Sequence, residues 1–244
     1  MRWLVTPQFF EEPEPALARV APAGTPQNAH DLADRSPESL ARLHQPIADF
    51  VAEGAGAVSV TGDCCAALPV LAGLQRAGIA AHLVWIDAHG DFNTPETSPS
   101  GFLGGMPLAM MVGRGPQWMM AAVGARPMAE SAITLVDARD LDPMEREAVE
   151  ASDMARATMD ELGRRRIPGP IWVHLDVDVL DADEVGAFKY PVSGGPSVAE
   201  AETALQSFAA AHEIAAVSVS GWSGALDPDR ATEAACGRLI AALT

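Results

Sequence analysis

Short apolar segments of strand type alternate with helical segments along most of the chain, and this alternation limits the folds available to it. The predicted strands are residues 2–6, 57–61, 81–87, 133–137, 170–176 and 214–220. Strands separated by helices run parallel in one sheet, and the helices then cover both faces of that sheet. We therefore predict an α/β fold, a three-layer αβα arrangement with a mostly parallel central sheet, formed as a single domain by residues 1–244.

The segments between these strands have helical spacing and helical end residues. A first helix is predicted to begin at Ser36-Pro37, because serine followed by proline is typical of an N-cap and first turn, and Pro46 is a potential kink site within it. A second helix is predicted to end near residue 77. Further helices are predicted over residues 106–112, 143–150, 197–211 and 228–243. Residues 7–36 have weak periodicity and are predicted to form a loop.

The charge and the apolar pattern exclude several classes of partner. A net charge of -17 would repel nucleic acid and anionic membrane surfaces. No apolar stretch approaches the ~20 residues that a membrane span requires. Three cysteines, two of them adjacent, do not make a disulfide framework and indicate a reducing compartment. We expect a cytoplasmic protein that acts on small molecules, without nucleic-acid or membrane partners.

Clustered acidic residues follow two of the predicted strands. Strand 82–86 runs into Asp87-Ala88-His89-Gly90-Asp91, and strand 172–175 runs into Asp176-Val177-Asp178. Alternate residues of an extended chain share a face, so Asp87, His89 and Asp91 are expected to converge. Ligand sites in parallel α/β sheets lie at the carboxyl ends of strands, which is where both motifs stand.

Four carboxylates lie at that edge together with an imidazole. Because neighbouring carboxylates repel one another, they need compensating positive charge. Two divalent cations would supply it, and a pair of ions ~3.5–4 Å apart can generate a hydroxide nucleophile near neutral pH. A ligand set rich in oxygen favours manganese, magnesium or similar hard ions. A single aspartate after a strand is usually a turn or cap residue, but two such motifs after two apolar strands favour a metal site.

With Asn93-Thr94-Pro95 and Ser100-Gly101, the first aspartate motif resembles the central motif of the arginase and agmatinase (ureohydrolase) family. Residues 174–181 (HLDVDVLD) are similar to that family's second metal motif, and residues 191–195 resemble the loop that follows it. Thr61-Gly62-Asp63-Cys64 stands in the place of a Gly-Gly-Asp-His motif. The resemblance runs in order from about residue 58 to 243. It implies an arginase-like fold, two divalent metal ions and a homo-oligomer.

The resemblance also implies roles for single residues. The implied metal ligands are Cys64, Asp87, His89, Asp91, Asp176 and Asp178. Asp87 and Asp176 would bridge the two ions, and Asp91, as the catalytic residue, would orient the bridging hydroxide and accept its proton. Asn93 and Ser100 fall where the family contacts an α-carboxylate, and Asp142 falls where arginases contact an α-amino group. Ordinary loop hydrogen bonds for Asn93 and Ser100, and an N-cap role for Asp142, are equally open alternatives.

Three positions depart from the family pattern. Cys64 replaces a histidine ligand, and its soft sulfur makes zinc, iron or cobalt alternatives to the expected manganese. Cys64 could also be no more than a small buried apolar residue. Gly104 stands where arginases carry a histidine proton shuttle, and Gly221 stands where a glutamate grips the guanidinium. A buried guanidinium without that carboxylate lacks its charge partner, so plain arginine is disfavoured as the substrate.

Three functions remain open from the sequence. The first is a metal-dependent hydrolase that uses a metal-bridging hydroxide to cleave a C–N bond of a small linear amidine or guanidino compound, with N-hydroxyarginine as a candidate. The second is a binding or regulatory protein that has kept the fold and lost catalysis. The third is a deacetylase-like amide hydrolase with one zinc ion, which the absence of paired histidines before the first metal motif disfavours.

Overall fold

A sheet of seven parallel strands lies at the centre of the computed structural model, which describes residues 1–244. The strands follow the order β1-β4-β9-β8-β5-β6-β7 across the sheet. Their bounds are β1 Arg2–Val5, β4 Ala57–Val60, β5 His82–His89, β6 Ile133–Asp140, β7 Ala155–Ala157, β8 Ile171–Asp176 and β9 Ile214–Ser220. Two short strands, β2 Gln8–Phe9 and β3 Glu12–Pro13, pair antiparallel outside this sheet.

Eight α-helices connect and cover the strands. Their bounds are α1 Pro37–Ala52, α2 Ala67–Arg76, α3 Pro107–Met111, α4 Trp118–Val123, α5 Pro143–Glu150, α6 Met159–Arg164, α7 Val198–Ala209 and α8 Ala231–Leu243. Helices α1 to α4 pack together, and α6 to α8 form a second packed group. None of the helices combines the length and the apolar character needed to span a membrane.

Two apolar cores lie on the two faces of the sheet. Along β5, Leu83 and Trp85 belong to the core shared with α1 to α4, whereas Val84 and Ile86 belong to the core shared with α6 to α8. This alternation follows from the two-residue period of a strand, which sends successive side chains to opposite faces. Because both faces are covered, both sets of positions are apolar. The predicted three-layer αβα fold with a parallel sheet is confirmed.

Most predicted elements are present, and the differences concern short segments. The predicted loop at residues 7–36 contains β2, β3 and a 3-10 helix, Pro15–Val20, and α1 continues through Pro46 to Ala52. Helices α4 and α6 and strand β7 were not predicted. Each of these has six residues or fewer, which is too short for a periodic pattern to distinguish it from a loop.

The strand order places five chain segments side by side at the carboxyl edge of the sheet. Strands β4, β9, β8, β5 and β6 are consecutive neighbours. The polar motifs that follow them therefore meet at one place, although they come from positions as far apart in sequence as Cys64 and Gly221.

Candidate metal centre

A cavity of about 460 Å³ opens at this carboxyl edge. All six predicted ligands line it: Cys64, Asp87, His89, Asp91, Asp176 and Asp178. The three predicted substrate contacts, Asn93, Ser100 and Asp142, line the same cavity. The fold thus brings together every site residue that the sequence predicted.

One group of potential ligand atoms comes from Asp87, His89 and Asp178, whose atoms lie within 4.8 Å of one another. The His89 Nδ1 atom is 3.2 Å from Asp178 Oδ2 and 3.3 Å from Asp87 Oδ1. Burial lowers the pKa of His89, but its hydrogen bonds to Asp178 and Asp87 outweigh that effect and raise the pKa to about 12. The three side chains are thus close enough to hold one cation together.

A second group comes from Cys64, Asp87 and Asp176. The Cys64 thiol donates to Asp176 Oδ2 at 2.8 Å and lies 3.2 Å from the Ser220 hydroxyl oxygen. Burial, with the charges of Asp176 and other nearby carboxylates, raises the pKa of this thiol well above its usual value. A thiolate at this position would therefore need a cation beside it.

Asp91 is buried, and its Oδ2 atom has no hydrogen-bond partner. Strand β5 ends at His89, and Asp91 has φ 48°, so the three residues of this motif do not converge on one extended face as expected. The turn after His89 directs the chain so that Asp91 still lines the cavity. Burial and the nearby Asp87 carboxylate raise the pKa of Asp91 well above its usual value.

These donors fit a pair of divalent cations. Asp87 belongs to both ligand groups, as a bridging carboxylate would, whereas Asp176 belongs to only one of them. Burial also raises the pKa values of Asp176 and Asp178, which disfavours their ionised forms. The positive charge of bound cations would favour those ionised forms again. The unpartnered Asp91 oxygen is a further donor, since buried polar atoms normally have a partner.

A buried polar network supports the ligands from within the sheet. The Trp85 indole donates to Asp87 Oδ2 at 3.2 Å, and its ring stacks on His174 with 3.8 Å between centroids. Ser220 donates to Asp176 Oδ2 at 3.1 Å and lies 3.3 Å from His174 Nε2. Burial lowers the pKa of His174 to about 3, so this ring is neutral. Ser220 was not predicted as a site residue, although a serine within a buried strand was an indication.

Two of the predicted substrate contacts are bonded to each other. The Asn93 amide donates to Asp142 Oδ2 at 3.0 Å, and Asn93 Oδ1 accepts from the Thr97 hydroxyl at 2.9 Å. Ser100 is exposed, and its hydroxyl oxygen accepts from the Phe102 amide at 3.2 Å. Asp142 also forms a capping box at the start of α5. The alternative roles that the sequence left open, loop hydrogen bonding and capping, are therefore present.

Glu145 holds two cavity segments together and was not predicted. Its carboxylate accepts from the Phe92 amide at 2.9 Å and from the Asp142 amide at 3.2 Å. Burial raises the pKa of this group to about 7. Glu145 therefore ties the Asp91–Asn93 turn to the first turn of α5. The capping-box spacing of Asp142 and Glu145 in the sequence was the pattern that could have found it.

The two glycines that depart from the family pattern, Gly104 and Gly221, each have a structural reason. A Cβ atom built on Gly104 would overlap the ring of Phe102, so that ring fills the space where a side chain at position 104 would begin. Gly221 has φ 91°, and a Cβ there would overlap the Asp176 carboxylate. A glutamate at position 221 is therefore incompatible with the observed placement of Asp176.

The loop after β8 carries Lys189 and Tyr190 into the cavity wall. Arg139, at the end of β6, donates to the carbonyl oxygens of Val179 at 3.0 Å and Val192 at 2.8 Å. These two bonds hold the ends of the loop. Asp181, the last residue of the second metal motif, accepts from the Gly194 amide at 3.0 Å and supports the same loop.

A family model described as the arginase family matches residues 18–244. The chain belongs to the arginase family. Among its relatives, an arginase of Brevibacillus brevis is 32% identical over 195 residues, which cover 74% of this chain and 65% of that protein. A protein named N(omega)-hydroxy-L-arginine amidinohydrolase, from Streptomyces lavendulae, is 30% identical over 207 residues, which cover 81% of this chain and 71% of that protein.

Solved arginase-family structures have the same fold. Arginase from Bacillus caldovelox superposes with a TM-score of 0.84 at 24% identity, over 99% of this chain and 97% of that one. The sequence match to the Brevibacillus brevis arginase spans slightly less than two thirds of that protein's length. The arginase-family fold and membership are thus established, while the activity is inferred from the site.

Proposed function

We propose that this arginase-family chain is a metal-dependent hydrolase that cleaves a C–N bond of a small linear amidine or guanidino compound. The observation that supports this most is the pair of ligand groups that share Asp87 within one cavity. The proposed ligands are those predicted from the sequence: Cys64, Asp87, His89, Asp91, Asp176 and Asp178. Family membership favours this activity over a deacetylase-like one.

For a guanidino substrate the reaction adds one water molecule. The water oxygen bonds to the central carbon and the bond from that carbon to the substituted nitrogen breaks. A protonated amine is released together with urea, or with hydroxyurea when the substrate is an N-hydroxyguanidine. Two divalent cations would make the water nucleophilic at neutral pH and stabilise the negative charge that develops on the substrate. Asp91 is the proposed catalytic residue, which orients the water, accepts its proton and passes it to the leaving nitrogen.

The remaining cavity residues bear on the substrate and the metal. Asn93, Ser100 and Asp142 are the proposed polar contacts for the rest of the substrate. The absence of a carboxylate at Gly221 disfavours plain arginine, and N-hydroxyarginine is a candidate, as the name of the Streptomyces relative suggests. We propose manganese as the resident metal because the ligand set is rich in oxygen, with zinc, iron or cobalt as alternatives because of Cys64.

The expected cellular setting follows from the same proposal. We predict that the protein is cytoplasmic, that it assembles as a homo-oligomer, and that it has no nucleic-acid or membrane partners. The net charge of -17 supports the exclusion of nucleic acid.

The decisive experiment combines metal analysis with a substrate screen. Protein purified without added metal is analysed for bound ions, and then assayed on guanidino and amidino compounds with Mn²⁺, Co²⁺ or Zn²⁺. Two ions per chain together with turnover of at least one compound is the expected result. One ion or none, with no turnover in the screen, would overturn the proposal.

A separate measurement tests Cys64 as a ligand. Cobalt bound to a thiolate gives an intense near-ultraviolet charge-transfer absorption that oxygen and nitrogen ligands do not give. We expect that band in the Co²⁺-loaded protein and its loss in Cys64→Ser. Cys65→Ser is the matched control, because the Cys65 thiol donates to the Leu103 carbonyl instead of to a carboxylate. An unchanged spectrum in Cys64→Ser would exclude cysteine ligation.

A binding or regulatory protein without catalysis is the second candidate. The observations that favour it are the ring of Phe102 against Gly104 and the Asp176 carboxylate against Gly221, with which a side chain at either position would clash unless they moved. Metal binding without turnover, for every compound tested, would favour this candidate over the hydrolase.

A further inference from the structure

Three aromatic rings form one wall of the cavity. Phe9 and Phe102 are nearly parallel, with 6.3 Å between centroids, and Phe102 lies 5.1 Å from Tyr190. Tyr190 in turn meets His89 edge-on at 6.5 Å. The wall therefore extends from the cavity opening, where Tyr190 is 49% exposed, to a predicted metal ligand.

The place of Phe102 depends on Gly104. Because position 104 has no side chain, the ring can occupy the space that a Cβ atom there would take. A polar side chain at position 104 would displace the ring, so this glycine gives the cavity an apolar surface beside the metal centre.

The polar residues that could hold an α-amino-acid end are largely engaged with the protein itself. One amide hydrogen of Asn93 and its carbonyl oxygen are bonded to Asp142 and Thr97. Ser100 accepts from the backbone of its own loop. A ligand carboxylate would have to compete with Asp142 for that Asn93 hydrogen, and competition of this kind reduces the net gain from a new hydrogen bond.

The charge around the cavity also disfavours a carboxylate on the ligand. Beyond the predicted ligands, Asp140 and Asp142 line the cavity, and the one lysine there, Lys189, is paired with Glu12. A cationic group is therefore attracted, whereas an anionic end finds no free positive partner. An aromatic group at the far end of the ligand would gain instead from packing on the Phe102 and Tyr190 rings.

We propose that, within the substrate class proposed above, the site favours amidines or guanidines whose far end is aromatic, seated on Phe102 and Tyr190, over those that end in an α-amino acid, N-hydroxyarginine included. This inference rests on the proposed function, because it assumes that the cationic carbon faces the metal centre. The substrate class is then an aryl-substituted amidine or guanidine. For an aryl guanidine, hydrolysis would release urea and an arylamine.

Tyr190 allows a direct binding measurement because it is the only tyrosine in the chain. Incorporation of 3-fluorotyrosine gives one fluorine resonance, which reports on the cavity wall. The Zn²⁺-loaded protein is titrated with phenylguanidine, methylguanidine and L-arginine, which share the guanidino group and differ in the rest. We expect phenylguanidine to shift the resonance and to bind at least about tenfold more tightly than the other two.

Calorimetry on variants tests the location. Tyr190→Ala should weaken phenylguanidine binding about tenfold and leave methylguanidine binding unchanged, and Tyr190→Phe should retain the preference. Leu226→Ala is the matched control, since Leu226 is similarly exposed, at 52%, and does not line the cavity. L-Arginine binding as tightly as phenylguanidine, or unchanged phenylguanidine binding in Tyr190→Ala, would overturn the inference.

Two experimental outcomes separate the proposed ligand class from the proposed hydrolase activity. Tight phenylguanidine binding at Tyr190 without turnover of any compound supports the ligand class and contradicts the hydrolase. Turnover of guanidino compounds without an aryl preference supports the hydrolase and contradicts the ligand class.

Discussion

Gly221 shows how a single residue can be fixed by its neighbour. Its φ of 91° is costly for any residue with a side chain, and the Asp176 carboxylate occupies the space that a Cβ atom would take. The absence of a glutamate here is therefore coupled to the position of a predicted metal ligand. Replacing this glycine should affect the metal centre directly.

We expect Gly221→Ala to reduce the bound metal per chain and to lower activity at least tenfold, because Asp176 must move. Gly194→Ala is the matched control, since Gly194 has φ 82° with nothing within 4 Å of its built Cβ. Both variants carry backbone strain of about 1–2 kcal/mol. Elemental analysis separates the two effects: equal metal content in the two variants would contradict the coupling.

Asp91→Asn tests the catalytic role at the same scale. The amide is nearly the same size as the carboxylate but cannot accept a proton, so we expect activity to fall by about 100-fold or more. The circular dichroism spectrum should be unchanged. Asp31→Asn, a change at an exposed position outside the cavity, should leave activity intact. Retained activity in Asp91→Asn would refute the assigned role.

Among the elements, the long strands were predictable and the short ones were not. Strand β9 matches its predicted bounds, since five of its seven residues are apolar and all but the first are buried. Strand β7 has only three residues, Ala-Arg-Ala, and forms because β6 offers it an edge to pair with. That partner is supplied by tertiary structure, so no local pattern could indicate it.

Helix α1 contains a buried histidine that should make stability depend on pH. His44 is buried, its Nε2 atom has no partner, and burial lowers its pKa from 6.5 to about 4. Between pH 4 and 6.5 the unfolded chain binds a proton that the folded chain does not. Stability is therefore fully present above pH 6.5 and falls as pH decreases towards 4, by up to about 3 kcal/mol from this group.

We expect His44→Leu to remove this part of the acid sensitivity and to leave stability at pH 7 equal or higher. Urea unfolding of both proteins at pH 7 and pH 5 measures the difference. His30→Leu is a suitable control, because His30 is only partly buried and hydrogen-bonds Asn28. A parallel pH dependence in His44→Leu and the parent protein would contradict the assignment.

At the scale of the whole molecule, the sequence predicted the parts of the site better than their contacts. The aspartate motifs were visible because each directly follows an apolar strand. Ser220 contacts Cys64, from which it is 156 positions away in the sequence. Phe102 fills the space beside Gly104, which depends on side-chain packing. Both arise only when the sheet order brings β4 and β9 together and the long loop after β5 folds back.

Metal binding should stabilise the whole fold, since buried carboxylates from two neighbouring strands need counter-charge in the folded state alone. With free metal at 100 times its Kd, the gain is about 2.7 kcal/mol, which corresponds to a rise in Tm of about 5–10 °C. Thermal unfolding followed by circular dichroism, with Mn²⁺ and after chelation, measures this shift. Asp87→Asn, which alters the residue common to both ligand groups, should abolish most of it. Equal Tm values with and without metal would contradict the proposed centre.

The pairing of Lys189 with Glu12 at the cavity wall has a practical consequence for handling the protein. Lys189 is the only lysine in this sequence, so amine-directed dyes, biotin esters and sensor-chip chemistries that react with lysine would attach at the cavity wall. Immobilisation through Lys189 would press the cavity opening against the support.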